Sequence, residues 1–435
     1  YTQGKWYPGE LLPRWAMHSH WRLDGQPIWQ NPALLADPHK KLGASLANAK
    51  IFLHDLAESL AIPKDYILPA YEDIDYYLWK EQYLPIAGDV LKGDDYEIAE
   101  RKKIADITAK NLGKEVGYVL PLHFSPTRKN WISNRWQFAK PGLTLITGDS
   151  PIGLRLPLAS LPFVAESDNE FFHQRSPFEQ KGELPSYNRL AKTTVKPSDK
   201  SFAKDPGGLI KSAIACEIRD GILHIFLPPL SLIEHFLDLV AKIENIAAKH
   251  NIAIVLEGYM PPKDLRVQHF SVTPDPGVIE VNVQPANNWQ ELKNIVNTVY
   301  EEAYNTALSA EKFLLDGKRV GTGGGNHIVM GAATPEDSPF LRYPHLLQSL
   351  ITFWQHHPAL SYLFSGMYIG PTSQSPRIDE ARNDSLYELE IAFSQIPNEG
   401  EIPHWQIDRL LRNLLVDITG NTHRAEFCID KLYSP

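Results

Sequence analysis

The chain has 435 residues, of which 43% are apolar, 22% charged and 10% aromatic, which excludes collagen-like, coiled-coil and wholly disordered classes and predicts two or three domains with a sizeable core. Its 43 Lys and Arg against 52 Asp and Glu give a formal charge of −9 at pH 7, so no global positive field exists to hold a nucleic-acid backbone or an anionic membrane. Cys216 and Cys428 are the only cysteines, too few for a disulfide scaffold or a four-cysteine metal site. No stretch approaches the roughly 20 apolar residues that a bilayer span needs, and Tyr1-Thr2-Gln3 opens no leader pattern. The expectation is a soluble, cytoplasmic chain excised from something longer, with no nucleic acid and no membrane among its partners.

Trp, Tyr and Pro crowd the first 35 residues, which predicts irregular, aromatic-anchored structure, and residues 34–62 and 94–113 carry helical spacing. Polar residues with Pro and Gly dominate 161–210, which predicts a linker or long loop between a helical and irregular N-terminal region at 1–160 and a region at 211–435. That last region mixes short strands with amphipathic helices, the grammar of an α+β fold. Strands are predicted near 213–219, 222–227, 252–257, 267–273, 278–284, 325–331, 386–393 and 424–430, and helices over 231–249, 288–313, 344–356 and 404–416.

Side chains at i and i+2 of a strand share a face. On that rule Glu388 and Glu390 stand together opposite Tyr387, Leu389, Ile391 and Phe393, and Glu280, Asn282 and Gln284 oppose Ile279, Val281 and Val283. Glu217 and Arg219 oppose Ile214, Cys216 and Ile218, while Arg424 and Glu426 oppose Ala425, Phe427 and Ile429. A solvated face of an antiparallel sheet has the same pattern. Lys is nearly absent from these faces, however, although exposed strands use it freely. Like unit charges 4 Å apart repel by roughly 4 kcal/mol at an effective dielectric near 20, so converging carboxylates favour a divalent cation such as Mg²⁺ or Mn²⁺.

The run Gly321-Thr322-Gly323-Gly324-Gly325-Asn326-His327 lets backbone approach a phosphate, but it matches neither the P-loop nor GxGxxG. Arg377 and Arg382, in a polar connection, offer planar clamps for phosphate or carboxylate, with surface ion pairing as the alternative. GxSxG and HExxH are absent, and each cysteine falls at a packed strand position, so serine, helical-zinc and cysteine hydrolases are set aside.

The segments Gln3-Gly4-Lys5-Trp6-Tyr7-Pro8-Gly9-Glu10, Pro13-Arg14-Trp15, 269–285, 322–327 and 379–393 resemble the amidoligase family of large bacterial proteins, over essentially the whole chain. Members typically carry a transglutaminase-like domain ahead of this region and are akin to glutamine synthetase and glutamate-cysteine ligase. The resemblance implies a glutamine synthetase-like antiparallel sheet with flanking helices, binding ATP and Mg²⁺ (or Mn²⁺) on its polar face. It implies Glu280 as a metal ligand beside Asn282, and Gly323, Gly324, Gly325, Asn326 and His327 as the nucleotide turn. Arg377, Arg382 and Arg424 correspond to phosphate- and substrate-binding arginines, and Glu426 to a metal-binding Glu; Glu388 and Glu390 join that set. Glu217 and Glu257 are candidates for the superfamily's paired Glu strand by face and order. Family members have Gly-Gly-Glu-Pro-Thr ahead of Gly4-Lys5-Trp6 and continue past Pro435, so the chain is expected to be a fragment truncated at its C-terminus.

The function implied is an ATP- and Mg-dependent carboxylate-amine ligase working through an acyl phosphate, its substrates an acid and an amine drawn from amino acids, peptides or protein termini. The alternatives are a non-catalytic module presenting a peptide or glycan to a transglutaminase-like domain, and a glycosidase with two facing carboxyls.

Overall fold

The structure, a computed structural model, describes residues 2–4, 14–37, 40, 42–82, 98, 101–102, 104–105, 113–125, 129–139, 142–162, 181–192, 209–275, 278–321, 327–334, 337–362, 376–382, 385–397, 402–430 and 432. Helices accompany antiparallel and mixed sheets, so the fold is α+β. The chain divides into two compact units, one mainly residues 9–174 and 183–269, the other mainly 270–435. Most of the expected 94–113 helix and of the 161–210 linker lies outside the described residues.

The first unit opens with β1 (Thr2–Gln3) antiparallel to β2 (Trp15–Arg22), so part of the aromatic N-terminal stretch is regular. Helix α1 (Leu46–Ser59) falls within the predicted 34–62 segment and starts at a capping box between Ser45 and Asn48. After β3 (Leu68–Tyr71), α2 (Ile74–Glu81), β4 (Glu115–Pro121), the short pair β5 (His123–Ser125) and β6 (Asn130–Ile132), β7 (Leu143–Thr144) and α3 (Tyr187–Lys192), the chain enters its longest regular run. This comprises β8 (Ala213–Arg219), β9 (Ile222–Leu227), α4 (Ile233–His250) and β10 (Ile254–Gly258).

Six strands form one sheet in the order β10-β9-β8-β4-β3-β7, antiparallel at its centre and parallel at β9–β10 and β3–β7. The sheet therefore draws strands from both sides of the 161–210 segment. Asp220 and Gly221 have φ of 50° and 75°, the paired positive values that a two-residue hairpin turn requires between β8 and β9. Helix α4 buries Phe236, Leu237, Val240, Ile243 and Ala247 at helical spacing, places Glu234 in its first turn and Lys249 and His250 in its last, and ends at Asn251 in the left-handed region. The alternating residues of the central strands feed two cores. Ile214, Cys216, Leu223 and Ile225 pack with α1 and α4 residues, whereas Ala213, Ala215 and Phe226 pack with Trp136, Leu143, Leu145 and Ile152.

The second unit begins within β11 (Val267–Asp275), which pairs antiparallel with β12 (Val278–Asn282). Helix α5 (Trp289–Asn305) is capped by Asn288, whose side chain accepts from the Glu291 N–H at 2.9 Å. It ends before the predicted 313: Ala307 takes a positive φ of 60°, and β13 (Glu311–Phe313) pairs with β14 (Arg319–Gly321). Then come α6 (Pro339–Arg342), α7 (Pro344–His356), α8 (Ala359–Tyr362), α9 (Ser385–Ser394) and α10 (His404–Leu411).

Three predicted strands differ. Residues 386–393 are helical in α9. Leu389 and Phe393 are buried together with Ala392 and Ile396, while Tyr387 and Ile391 are 74% and 68% exposed. The alternating pattern also satisfies a helix, because Leu389 and Phe393 are four apart, as are Tyr387 and Ile391. Residues 424–430 follow a 3-10 turn at Thr422–Arg424 and form no ladder among the described residues, although Ile429 still packs into the core of Leu347, Ile351, Leu389 and Leu411. Residues 327–331 are irregular.

Candidate functional site

The carboxyl-terminal end of the second unit gathers arginines and carboxylates from several segments. Arg424 donates to both oxygens of Glu380, at 3.2 and 3.1 Å, and Arg377 reaches the same carboxylate at 3.4 Å while also holding Asp379. Arg382 pairs with Glu388 and donates to the Asn413 carbonyl at 3.2 Å. The Tyr362 hydroxyl donates to Glu426, and burial followed by that bond pushes its pKa upward. Tyr362, Arg382, Arg424 and Glu426 line one pocket with Gln355 and Asp417.

Asp417 is 3% exposed. Its Oδ1 accepts from the Thr419 N–H at 2.8 Å, the Thr419 hydroxyl at 2.6 Å and the Asn421 N–H at 2.8 Å. Burial drives its carboxyl upward, but these donors and the Arg424 charge outweigh burial and hold it below the usual range. His327 approaches this cluster through His423, with ring centroids 6.2 Å apart.

A second polar group sits on the six-stranded sheet of the first unit. Register places Glu217 opposite His224 and Glu257 opposite Phe226, so Glu217, Arg219, His224 and Glu257 share one face. Arg219 pairs with Glu257, its Nη2 lies 2.6 Å from His224 Nδ1, and its Nε lies 3.7 Å from Glu217 Oε1. Glu217 accepts from the Ile152 N–H at 3.1 Å. Burial raises the Glu217 carboxyl. Glu257 is buried as well, yet the His224 and Arg219 bonds and the Arg219 charge prevail and its carboxyl is lowered. The two carboxylates differ because Arg219 bonds to one and only approaches the other.

The remaining expected residues stand elsewhere. Glu280 and Asn282 share a face of β12, as the alternation predicts, where Asn282 Nδ2 donates to Glu280 Oε1 at 2.9 Å. Glu390 is exposed on α9, two positions from Glu388, and a helix turns such a pair to different sides. Gly323, Gly324, Gly325 and Asn326 lie outside the described residues. The family model described as "Putative amidoligase enzyme (DUF2126)" matches residues 1–435. The chain belongs to that family. No curated protein and no solved structure matches it.

For this amidoligase-family chain the fit of a magnesium site is a question of donors. Among the described residues no three His, Cys, Asp or Glu side chains gather in a group able to hold a metal. Glu257 is taken up by Arg219, Glu388 by Arg382 and Glu280 by Asn282. The described carboxylates do not fit a multi-carboxylate magnesium site. Of the fifteen expected residues, the second unit joins Arg377, Arg382, Arg424, Glu388 and Glu426 in one neighbourhood. Sequence reasoning missed Glu380, the bridge between two arginines, along with His224, Tyr362, Gln355 and Asp417. For Asp417 a signal existed: Asp417-Ile418-Thr419-Gly420-Asn421 has the composition of an Asx-type turn.

Proposed function

We propose that this chain is a carboxylate-amine ligase that uses ATP to activate an acid, and that the pocket lined by Arg382, Arg424, Glu426 and Asp417 receives the reacting groups. A carboxylate is a poor electrophile in water, and transfer of a phosphoryl group from ATP turns one of its oxygens into a leaving group. The bond from that phosphorus to the departing ADP oxygen breaks as its bond to the carboxylate forms. The amine then attacks the acyl carbon, the C–O bond to phosphate breaks, and the nitrogen sheds a proton.

Arg382 and Arg424 supply planar donors for anionic oxygens once Glu388 and Glu380 yield them, as exchange of one anion for another in a half-buried guanidinium site permits. Glu426, held by Tyr362, and Asp417 place negative charge where an amine must approach. The single observation that supports this reading is the shared pocket: Arg382 and Arg424, expected from sequence to bind phosphate or substrate, and Glu426, expected as a metal ligand, line it together.

The test is ADP release by the whole chain with ATP, Mg²⁺ and mixed acids and amines, with amide products identified by mass spectrometry. Arg424→Gln should lower the rate by about 100-fold, the range for removing one preorganised donor to developing charge, while the far-ultraviolet dichroism is retained. Absence of amine-dependent ADP release, or a wild-type rate in the variant, overturns the proposal.

A further inference from the structure

The pocket of the second unit holds two hydrogen-bond acceptors that the described residues leave unused. Asp417 Oδ2 and Gln355 Oε1 are both shielded from solvent and have no hydrogen-bond partner, and both residues line the pocket. The contrast within Asp417 is informative, since Oδ1 takes three donors and Oδ2 none. A buried ionised oxygen without a donor is a standing cost that a bound donor removes.

We infer that the pocket binds a primary ammonium group between Asp417 Oδ2 and Gln355 Oε1, with its neighbouring carbonyl or carboxylate turned toward Arg382 and Arg424. An ammonium carries three N–H donors and no acceptor, the complement of two bare oxygens with the Glu426 carboxylate in the same wall. A divalent cation is the poorer match: it wants six or more oxygens, and two guanidinium groups line this cavity. The two guanidinium groups in the lining favour an ammonium that carries a neighbouring carbonyl or carboxylate over a polyamine, which has neither. The amine partner is therefore an α-amino compound, a free amino acid or the first residue of a peptide. That assignment of role rests on the ligase reading, whereas the binding itself does not.

Calorimetric titration of the full chain without nucleotide tests the binding alone, so its failure is distinguishable from absent ADP release. The probes are alaninamide, alanine, N-acetylalaninamide and MgCl₂. Alaninamide should bind at pH 7 and N-acetylalaninamide should not. Affinity should fall about tenfold per pH unit above roughly 8, where an α-amine loses its proton. Equal affinity for alanine would assign a free amino acid, and preference for alaninamide a peptide terminus. Asp417→Asn, which keeps an acceptor for the turn bonds, should weaken binding at least tenfold. Should that variant lose its native melting transition, Gln355→Met takes its place with the same expectation. No alaninamide binding, equal binding of the acetylated probe, binding unchanged in a folded variant, or heat from MgCl₂ alone overturns the inference.

Discussion

Replacing Arg219 with Met should destabilise the first unit through the carboxylate left behind. The Glu257 side chain is 8% exposed and that of Arg219 36%, so the variant strands a nearly buried charge whose main partner was itself partly solvated. Removing one member of a fully buried pair costs about 3–5 kcal/mol, and the exposure of Arg219 reduces this to about 2–3 kcal/mol. For a unit of this size the transition should fall by about 4–12 °C at pH 7. The pH dependence gives the sign. The lowered folded pKa of Glu257 means that its stabilising contribution is complete above the unfolded value near 4.3 and is lost as pH falls through the folded value. In the variant, burial is opposed by His224 alone, so the carboxyl moves upward. The gap in melting temperature between wild type and variant should be largest at pH 7 and close below about pH 4. Scanning calorimetry at both pH values measures it, and Arg219→Met with Glu257→Gln should recover part of the loss. A single variant that melts with wild type at pH 7 refutes the account of the quartet as a coupled ion pair.

Two further outcomes concern packing. A Cβ added at Gly153, in the 3-10 turn Ile152–Leu154, would lie 1.9 Å from Phe226 Cδ1, so Gly153→Ala should cost about 1–3 kcal/mol by overpacking, read by urea denaturation; Phe226→Leu in the same chain should relieve part of it, and a neutral Gly153→Ala would contradict the tight approach of that turn to β9. Cys216 is 0% exposed with its thiol pushed far up by burial, whereas Cys428 is exposed. An aromatic disulfide reagent should therefore titrate one thiol in the native chain and two in guanidinium, and peptide mapping that finds Cys216 labelled natively would contradict its place in the core.

Where local pattern and local geometry agree, the elements are legible in the residues. The 233–250 helix combines an apolar stripe, dipole-matched termini and a left-handed Asn cap. The β8–β9 hairpin combines alternation with Asp220-Gly221, the turn pair that its twist requires. Glu217 and Arg219 sharing a face follows from the same alternation, and so does the Glu280 and Asn282 pair. The 386–393 segment shows the limit, since its apolar residues satisfy period two and period 3.6 at once and only the company of Ile351, Ile407 and Leu411 selects the helix.

Sequence by itself determined the α+β class, the family and the residue types available for chemistry, because composition, periodicity and long motifs are properties of neighbours along the chain. Tertiary structure alone decided which charges meet. Glu217 finds Arg219 and Ile152, Arg424 finds Glu380, and Asp417 turns a bare oxygen into a pocket shared with Gln355, partners up to 65 positions apart. Ion pairing and burial depend on distance in space and on the dielectric around each group, and neither is encoded at any one position.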